Sequence, residues 1–293
     1  MKDCIIIGSG PAGISAALTL QSNGVDFCVL GSPQLSDKIT KAELIHNYPG
    51  LSDVTGKAFN EALKAQLSAA KIEIINQKAV GVYAMKGKFA VATQSGEMYE
   101  SRTVILACGV ESTKPIVGER EFLGRGVSYC ATCDGFLYKG KKIAVLCTSK
   151  SLEHEIEHLA GFAETVYLMP LYKGEAVSRD NVCKILKKPT AIEGERRVER
   201  ICFSQPPSDD IPAQLPVDGV FILKENVAAE VMVGGLQTED GHVLVGRDTA
   251  TNLKGCFAAG DCTGRPYQYA KAVGEGNVAA HAVSEYLAKN TQA

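Results

Sequence analysis

The chain has 293 residues, of which 45% are hydrophobic, and this is enough for two domains with ordinary cores. Its net charge of -2 and its pI of about 6.2 argue against a nucleic-acid coat or a membrane-seeking surface. A strand follows almost directly on Met1 without a basic leader, and no apolar run approaches the roughly 18 residues of a membrane span. We therefore expect a soluble, cytoplasmic protein with neither a nucleic-acid nor a membrane partner.

The amino-terminal segment predicts a dinucleotide-binding βαβ unit. A strand over Asp3–Ile7 precedes a glycine-rich turn, a periodic helix over Ile14–Ser22 and a second strand over Phe27–Leu30. The residues of the turn are Gly8, Ser9, Gly10, Pro11, Ala12 and Gly13. Its glycines permit a tight turn and let a pyrophosphate approach the backbone at the helix N-terminus. The alternative is a glycine turn without a ligand.

The segment after this unit departs from the usual dinucleotide pattern in one respect. The acidic residue that normally binds a ribose is missing, so Gln34 is our candidate for that hydrogen bond. A helix over about 56–70 and strands over 72–75, 81–85, 89–93 and 103–108 are predicted next. The last of these strands ends in Ala107-Cys108-Gly109, and small residues there suit the close approach of a cofactor. Residues 114–126, with several Pro and Gly, predict a hinge.

Cys130 and Cys133 are the two cysteines, among ten, that stand close enough in sequence to act as one redox unit. A Cys-x-x-Cys pair indicates either half of a metal site or a dithiol/disulfide couple. Zinc would need a second Cys or His pair at similar spacing, which the other cysteines do not supply. The spacing therefore favours a redox dithiol over a metal site or simple packing, and we predict no metal.

A second nucleotide-binding unit is expected to begin after the dithiol but lacks the residues for binding. The predicted strand over 142–146 leads into Cys147–Leu152 in place of glycines, so Cβ atoms fill the space that a pyrophosphate needs. The following helix carries Glu153, Glu155 and Glu157, which would repel a phosphate. The strand over 165–169 ends without the arginines that bind a 2′-phosphate. We expect no nucleotide at this turn.

The rest of the chain predicts a basic hairpin, a loop, a strand and a long helix. The hairpin over 181–200 is either a solvated face or a docking surface for an acidic protein, and 205–216 is expected to be a loop. The strand that begins near Gly255 runs into Gly260-Asp261, where the carboxylate can accept a hydrogen bond from a ribitol chain. A helix rich in small residues is predicted over 269–287.

The order of these motifs resembles the small flavoprotein thioredoxin reductases over nearly the whole chain. The motifs are Gly8-x-Gly10-x-x-Gly13, Asn47-x-Pro49-Gly50, Ala107-x-Gly109, Cys130-Ala-Thr-Cys133-Asp134 and Ala259-Gly260-Asp261 with Gln268. This resemblance implies an α/β fold of two Rossmann-like, three-layer, glutathione-reductase-type domains. It implies a discontinuous FAD domain over 1–113 and 242–293, a degenerate nucleotide-binding domain that carries the dithiol over 114–241, and a homodimer.

The resemblance also implies which residues contact FAD. Besides the glycine-rich turn and Gln34, these are Lys38, Ile39, Thr40, Asn47, Val80, Ala107, Gly109, Gly260, Asp261, Tyr267, Gln268, Tyr269 and Ala270. Tyr269 stands where a small residue is usual, so we expect it to shield the flavin ring, with surface packing as the alternative.

Because the middle domain lacks three nucleotide-binding features, the chain looks most like the ferredoxin-dependent, NADPH-independent branch of the family. The third loss is the Gly-His-x-Pro stretch, replaced by residues 223–226. FAD can take up single electrons from ferredoxin and pass two to a disulfide. The alternatives are an NADPH-dependent reductase with an altered site and a flavin dithiol oxidase that uses oxygen. A non-enzymatic flavoprotein would leave the dithiol without a use.

The expected roles of the dithiol residues follow from the same resemblance. Cys133 is taken as the sulfur nearer the flavin, and Cys130 as the thiol that attacks the disulfide of a thioredoxin-like protein. Asp134 is the candidate proton donor and acceptor, with a helix N-cap as the alternative. Since one sulfur cannot face both the flavin and a protein substrate, we expect the middle domain to swing. The group Lys139–Lys142 and the 184–200 stretch are candidate docking surfaces for the electron carrier.

Overall fold

The computed structural model describes residues 1–110, 115–204, 212–224 and 227–290. The described strands in chain order are β1 Lys2–Ile7, β2 Phe27–Gly31, β3 Ile74–Asn76, β4 Ala79–Met85, β5 Lys88–Thr93, β6 Met98–Leu106, β7 Val127–Ser128, β8 Lys142–Cys147, β9 Thr165–Pro170, β10 Val182–Lys184, β11 Pro189–Glu193, β12 Arg200–Phe203, β13 Gln214–Pro216, β14 Gly219–Leu223, β15 Thr238–Glu239, β16 His242–Val243 and β17 Cys256–Ala258. The α-helices are α1 Pro11–Ser22, α2 Asp37–Thr40, α3 Gly56–Ala69, α4 Ala131–Asp134, α5 Glu153–Ala160, α6 Ala229–Met232 and α7 Tyr269–Asn290. Short 3-10 turns cover Gly135–Tyr138, Lys150–Leu152 and Asp261–Thr263.

The chain forms two compact units. One comprises Met1–Thr93, Glu97–Glu111 and Asn226–Ala293, and the other comprises Gln94–Gly96 and Ser112–Glu225. The first unit is therefore discontinuous in sequence. The predicted domain boundaries at 113/114 and 241/242 stay a prediction. Among the described helices, none combines the length and the apolar character that crossing a membrane requires.

The first unit is built on a seven-stranded sheet in which β6 pairs with three strands. The order is β3-β2-β1-β6-β5-β4, and β17 pairs with the carboxyl half of β6, where Ala258 lies opposite Leu106. Because β1, β6 and β17 are parallel, their carboxyl ends meet at one edge. The turns that follow these strands contain Gly8–Gly13, Ala107–Gly109 and Gly260–Asp261, so this edge collects the predicted cofactor residues.

Helices α1 and α7 pack closely against each other in the first unit. A Cβ atom on Gly276 would lie 2.1 Å from the carbonyl oxygen of Ala12, so only glycine allows this approach. Ala279, Ala280 and Val283 of α7 are fully buried in the same core. The small residues of α7 thus serve contact between helices and hold α1 in place behind the glycine-rich turn.

The second unit contains a five-stranded parallel sheet in the order β10-β9-β8-β14-β7 and a three-stranded antiparallel sheet in the order β11-β12-β13. Helix α5 contributes Ile156 and Leu159 to a core that also contains Ala131 of α4. Strand β14 pairs with both β7 and β8, so that Leu223 lies opposite Cys147. The dithiol after β7 and the turn after β8 therefore follow two parallel strands that lie on either side of β14 in one sheet.

Most predicted elements are confirmed, and three are corrected. Residues 181–200 are not one hairpin. Strand β10 joins the parallel sheet, whereas β11 pairs with β12, which begins at residue 200 and extends to residue 203. Gln214–Pro216, expected to be loop, forms β13 on the edge of that hairpin, whereas 205–211 lie outside the described residues. The described part of the predicted hinge, 115–126, belongs to the second unit, and its Glu119 is 2% exposed.

Candidate functional site

The glycine-rich turn after β1 has the shape of a phosphate cradle. A Cβ atom on Gly8 would lie 2.2 Å from the carbonyl oxygen of Ala107, and one on Gly13 would lie 1.9 Å from that of Gly8. At Gly10, by contrast, no described atom lies within 4 Å of the Cβ position. Gly10 precedes α1 without a side-chain cap, so the first N–H groups of the helix are available to an anion. The turn fits a pyrophosphate.

The turns after β6 and β17 complete this edge of the sheet. Gly109 and Gly260 have φ angles of +68° and +89°, which only glycine adopts readily. Asp261 begins the 3-10 turn after β17, and its pKa is raised by burial, against which Lys38 and Lys271 act. Lys38 thus lies close enough to Asp261 to influence its charge. The Asp261 carboxylate remains suited to accept hydrogen bonds from a cofactor hydroxyl.

Lys271 and Glu275 of α7 hold the Asp261 turn in place, which the sequence patterns did not predict. Lys271 Nζ donates to the carbonyl oxygens of Gly260 and Gly264, each at 2.9 Å, and lies 3.1 Å from Glu275 Oε1. Glu275 Oε2 accepts from the N–H of Gly260 at 2.8 Å and from the Thr263 hydroxyl at 2.7 Å. The i, i+4 spacing of a Lys and a Glu at the start of α7 was the available signal.

Ser9 and Gln34, two of the predicted cofactor residues, form hydrogen bonds within the first unit. Ser9 Oγ donates to the carbonyl oxygen of Ser32 at 2.9 Å, which joins the glycine-rich turn to the end of β2. Gln34 is exposed, and its Oε1 accepts from Lys64 Nζ at 3.0 Å. The Gln34 side chain is therefore held by α3, and its contact with a ribose stays a prediction.

The three predicted cofactor residues in α2 differ in the groups that can contact a cofactor. Ile39 is completely buried in the core, so its backbone alone can reach a ligand. Lys38 and Thr40 are exposed, and Lys38 Nζ donates to the carbonyl oxygen of Val110 at 3.2 Å. The ammonium group of Lys38 thereby links α2 to the turn after β6.

Asn47 and Gln268, which are far apart in sequence, are brought together. Asn47 Nδ2 donates to Gln268 Oε1 at 2.7 Å. Tyr269 packs against Phe59 with ring centroids 5.7 Å apart, and its hydroxyl donates to the carbonyl oxygen of Lys38 at 3.4 Å. This packing accounts for part of the Tyr269 side chain, and its role as a shield stays a prediction.

The other predicted contacts of this group lie at the surface or partly buried. The Tyr267 hydroxyl lies 2.7 Å from His242 Nε2, and its ring lies 5.3 Å from the guanidinium carbon of Arg265. Ala270 is exposed in the first turn of α7, and Val80 is partly buried in β4. The structure thus gathers the predicted set in one unit, and the individual cofactor contacts stay predictions.

Cys130 and Cys133 form a disulfide at the start of α4. The S–S distance is 2.06 Å and the Cα atoms are 5.3 Å apart. Cys130 is the N-cap residue, and its Sγ accepts from the N–H of Cys133 at 3.1 Å and lies 3.4 Å from Thr132 Oγ1. Hydrogen bonds to a sulfur favour its anionic form, so these contacts are compatible with the predicted role of Cys130 as the attacking thiol.

The two sulfur-bearing residues differ in exposure. Cys130 is 5% exposed, whereas Cys133 is exposed. Asp134 precedes the 3-10 turn Gly135–Tyr138 and makes no side-chain capping hydrogen bond there. The N-cap alternative for Asp134 therefore lacks its defining contact, because Cys130 caps α4. The acid–base role of Asp134 and the roles of the two sulfurs stay predictions.

A buried ion pair supports the residue that precedes the dithiol. Glu119 Oε1 accepts from Lys224 Nζ at 2.5 Å and from the Tyr129 hydroxyl at 2.7 Å. Glu119 and Lys224 have side chains only 2% and 6% exposed, and the ammonium lies 5.4 Å from the centre of the Tyr129 ring. Lys224 was noted in the sequence only as part of a lost motif, but it is one of the anchors of the redox segment.

The turn after β8 is closed by its own side chains. The Thr148 hydroxyl donates to the carbonyl oxygen of Leu223 at 3.1 Å, and the backbone N–H of Thr148 donates to the same oxygen at 3.0 Å. Ser149 Oγ accepts from the N–H of Ser151 at 3.4 Å and hydrogen-bonds its hydroxyl at 2.8 Å. Groups that would face a phosphate in a nucleotide-binding turn are thus engaged within the chain.

The carboxylates of α5 are arranged differently from our expectation. Glu155 is 1% exposed, so it does not stand at the surface where it would repel a phosphate. Its two oxygens have no hydrogen-bond partner among the described residues. Glu153 accepts from the Tyr172 hydroxyl at 2.6 Å. Glu155 shares a helix face with the buried Leu152 and Leu159, and this periodicity could have predicted its burial.

Comparisons with known proteins agree with this arrangement. The family model of the pyridine nucleotide-disulphide oxidoreductases matches residues 2–150. A thioredoxin reductase from Helicobacter pylori is 31% identical, over 98% of this chain and 99% of that protein. Two solved structures, each of a ferredoxin-flavin thioredoxin reductase from Clostridium acetobutylicum, are also similar. One is 44% identical with a TM-score of 0.88 over 99% of both chains, and the other is 40% identical with a TM-score of 0.89 over 100% of this chain and 99% of that one.

These similarities confirm the predicted fold class, the disulfide oxidoreductase activity and FAD as the cofactor. The open backbone at Gly10, the positive φ angles of Gly109 and Gly260 and the carboxylate of Asp261 fit such a dinucleotide. The chain therefore belongs to the pyridine nucleotide-disulphide oxidoreductases and, within them, to the FAD-binding thioredoxin reductases.

Proposed function

We propose that this protein reduces the disulfide of a thioredoxin through Cys130 and Cys133, with electrons that reach FAD from reduced ferredoxin and not from NADPH. The observation that carries this proposal is the contrast between the two nucleotide-type turns. The turn at Gly8–Gly13 is open at Gly10, whereas the turn after β8 is filled by the side chains of Thr148, Ser149 and Ser151. Similar proteins are named ferredoxin-flavin thioredoxin reductases, which supports this donor.

The chemistry of the dithiol follows from its contacts. When bound, FAD supplies the ability to accept electrons singly and to pass on two. After reduction, the N–H of Cys133 stabilises the Cys130 thiolate, which attacks a sulfur of the substrate disulfide and releases one substrate thiol. The Cys133 thiolate then attacks Cys130, which re-forms their disulfide and releases the second substrate thiol. Two electrons and two protons pass to the substrate.

Two residues complete this proposed cycle. Asp134 follows Cys133 directly and takes up or returns the proton of its thiol. Cys130, which is 5% exposed, has to become accessible before it can attack a protein disulfide. We therefore expect the redox unit to change its surroundings during turnover, as the predicted swing of the middle domain requires.

Anaerobic reduction of the FAD-loaded protein by NADPH, NADH and reduced ferredoxin, each followed by flavin absorbance, tests the donor. We expect rapid bleaching with ferredoxin and none with either pyridine nucleotide. Bleaching by NADPH alone would establish the altered-site reductase in place of our proposal. Rapid peroxide formation from a small dithiol and oxygen, without ferredoxin-dependent reduction of thioredoxin, would establish the oxidase.

The Cys130→Ser variant separates delivery to the flavin from delivery to the substrate. Its FAD should bleach with ferredoxin at the wild-type rate, while reduction of thioredoxin should be lost, because the attacking sulfur is missing. The Cys183→Ser variant, which removes an exposed free cysteine, is the matched control and should behave as wild type. Loss of FAD bleaching in Cys130→Ser alone would contradict the assigned order of transfer.

The proposed function also includes a docking surface for ferredoxin, a homodimer and a cytoplasmic location. Lys139 and Lys142 are exposed beside the redox segment and are candidates to meet an acidic ferredoxin, so charge reversal there should slow FAD reduction without changing the thioredoxin step. We also propose a homodimer, which sedimentation equilibrium tests. A cytoplasmic location suits a chain in which eight cysteines are free thiols.

A further inference from the structure

Cys108 and Cys262 form a second pair of cysteines within the first unit. Cys108 follows β6, and Cys262 lies in the 3-10 turn that follows β17. Because β6 and β17 are parallel neighbours, these two turns leave the sheet side by side. Cys262 Sγ lies 3.3 Å from the carbonyl oxygen of Leu106 and 3.3 Å from that of Ala259. The Cys262 sulfur therefore sits over the end of β6, two residues before Cys108.

The two thiols lie in neighbouring turns and influence each other's charge, but they differ in character. Interaction with Cys262 lowers the pKa of the Cys108 thiol, whereas interaction with Cys108, together with burial, raises the pKa of Cys262. Cys108 is partly exposed and Cys262 is 3% exposed. By contrast, burial raises the pKa values of Cys4 and Cys256 to about 12. A partly exposed thiol whose pKa is lowered, beside a buried thiol whose pKa is raised, is the arrangement found in oxidant-sensitive cysteine pairs.

The pair is embedded in the turns that carry the predicted FAD residues. Gly109 follows Cys108 directly, and Asp261 precedes Cys262 directly. The carbonyl oxygen of Ala107 stands so close to Gly8 that a Cβ atom there would lie only 2.2 Å from it. A displacement of the turn after β6 therefore also moves the glycine-rich turn.

We propose that Cys108 and Cys262 are a peroxide-sensitive dithiol that closes to a disulfide when FAD is absent and then weakens FAD binding. The Cys108 thiolate attacks one oxygen of hydrogen peroxide, so an S–O bond forms, the O–O bond breaks, and the leaving hydroxide takes a proton to become water. The Cys262 sulfur then attacks Cys108, so an S–S bond forms and the S–O bond breaks. The second water leaves with the proton of Cys262, and the two thiols have given two electrons to one peroxide.

FAD and the disulfide must affect each other equally. A disulfide holds its sulfurs about 2.05 Å apart, which is closer than two unbonded thiols can lie, so closure draws the two turns together. If closure weakens FAD binding by a given factor, FAD must disfavour closure by the same factor, since both are parts of one thermodynamic cycle. We expect this factor to be about tenfold or more, which corresponds to about 1.4 kcal/mol.

The experiment compares full-length protein stripped of FAD with FAD-loaded protein. Each form is treated with hydrogen peroxide, its free thiols are alkylated, and its peptides are mapped by mass spectrometry. We expect a peptide pair linked through Cys108 and Cys262 in the stripped protein and little or none in the loaded protein. FAD titration of the stripped protein before and after oxidation should show the loss of affinity, and dithiothreitol should reverse it.

Variants separate the linkage from general oxidation. Cys262→Ser should lose the linked peptides, accumulate sulfenic acid at Cys108 and keep its FAD affinity after brief peroxide treatment without reduction, whereas the wild type should lose affinity under the same conditions. Cys183→Ser, at an exposed free cysteine, should behave as wild type. Absence of the linked peptides from stripped wild-type protein overturns the proposal, and so does linkage that leaves FAD affinity unchanged. None of these measurements uses ferredoxin or thioredoxin, so their outcome is independent of the proposed electron donor and acceptor.

Discussion

Removal of the ammonium group of Lys224 should destabilise the second unit strongly. In Lys224→Met, the Glu119 carboxylate stays buried at 2% exposure and loses the cation 2.5 Å from its Oε1. Among the described residues, the Tyr129 hydroxyl at 2.7 Å and the N–H of Ile116 at 3.0 Å still donate to it. Breaking one partner of a buried ion pair typically costs about 3–5 kcal/mol, because the remaining charge has no compensation. We expect a loss within this range.

A double-mutant cycle isolates the ion pair from the packing of its side chains. Glu119→Gln removes the carboxylate that lies 2.5 Å from the Lys224 ammonium and should also be destabilising. The double variant Glu119→Gln/Lys224→Met contains neither charge, and the amide oxygen can still accept from Tyr129. It should therefore lie closer to wild type than the sum of the single variants, with a coupling energy of about 2 kcal/mol or more.

Urea unfolding at neutral pH measures these differences. The chain contains no tryptophan, so flavin fluorescence reports the FAD-binding unit, while far-UV circular dichroism reports both units. The part of the dichroism transition that does not coincide with flavin release gives the stability of the second unit. The ion-pair argument is wrong if both single variants lie within about 1 kcal/mol of wild type and the coupling energy is near zero.

Two further variants test how the FAD site is built. Gly13→Ala should prevent FAD binding, because its Cβ atom would lie 1.9 Å from the carbonyl oxygen of Gly8. Gly234→Ala is the control and should retain FAD, because no described atom lies within 4 Å of its Cβ position. Equal flavin absorbance in the two purified variants would contradict this prediction. Lys271→Met should raise the Kd for FAD about tenfold, because the turn that contains Asp261 loses charged hydrogen bonds worth about 1.5–3 kcal/mol each. Lys289→Met, which breaks an exposed i, i+4 pair on the same helix, is its control, and the same Kd in both variants would show that Lys271 does not hold the turn.

Local patterns predicted the features of this molecule that depend on neighbouring residues. The apolar run before Gly8 and the periodic residues after Gly13 are enough to specify a strand, a turn and a helix, and the structure has β1 and α1 at these positions. The strand preceding Ala107 was found for the same reason, although β6 begins five residues earlier than predicted, since polar residues at its start pair with β5. Short motifs likewise predicted the redox dithiol, the loss of the nucleotide-binding turn after β8 and the FAD-binding segments.

Contacts between distant residues could not be predicted in this way. Glu119 and Lys224 are 105 positions apart, and each alone is typical of a solvated surface. Cys108 and Cys262 meet only because β6 and β17 pair, and the strand order needed for that pairing is not a local property. The short strand Gln214–Pro216 was missed because it contains a proline and is stabilised by its partner β12, not by its own propensity.

The pairing of β6 with β17 has a consequence for the synthesis of the protein. The carboxyl half of β6 ends at residue 106, but its partner begins only at residue 256, after all the strands of the second unit. At about 5–20 residues per second, this edge waits roughly 8–30 seconds on the ribosome for its neighbour. Meanwhile α1 also lacks α7, and an unpaired strand edge favours misassociation with other chains. FAD can therefore stabilise only a completed chain, so its supply should affect the yield of folded protein after release from the ribosome.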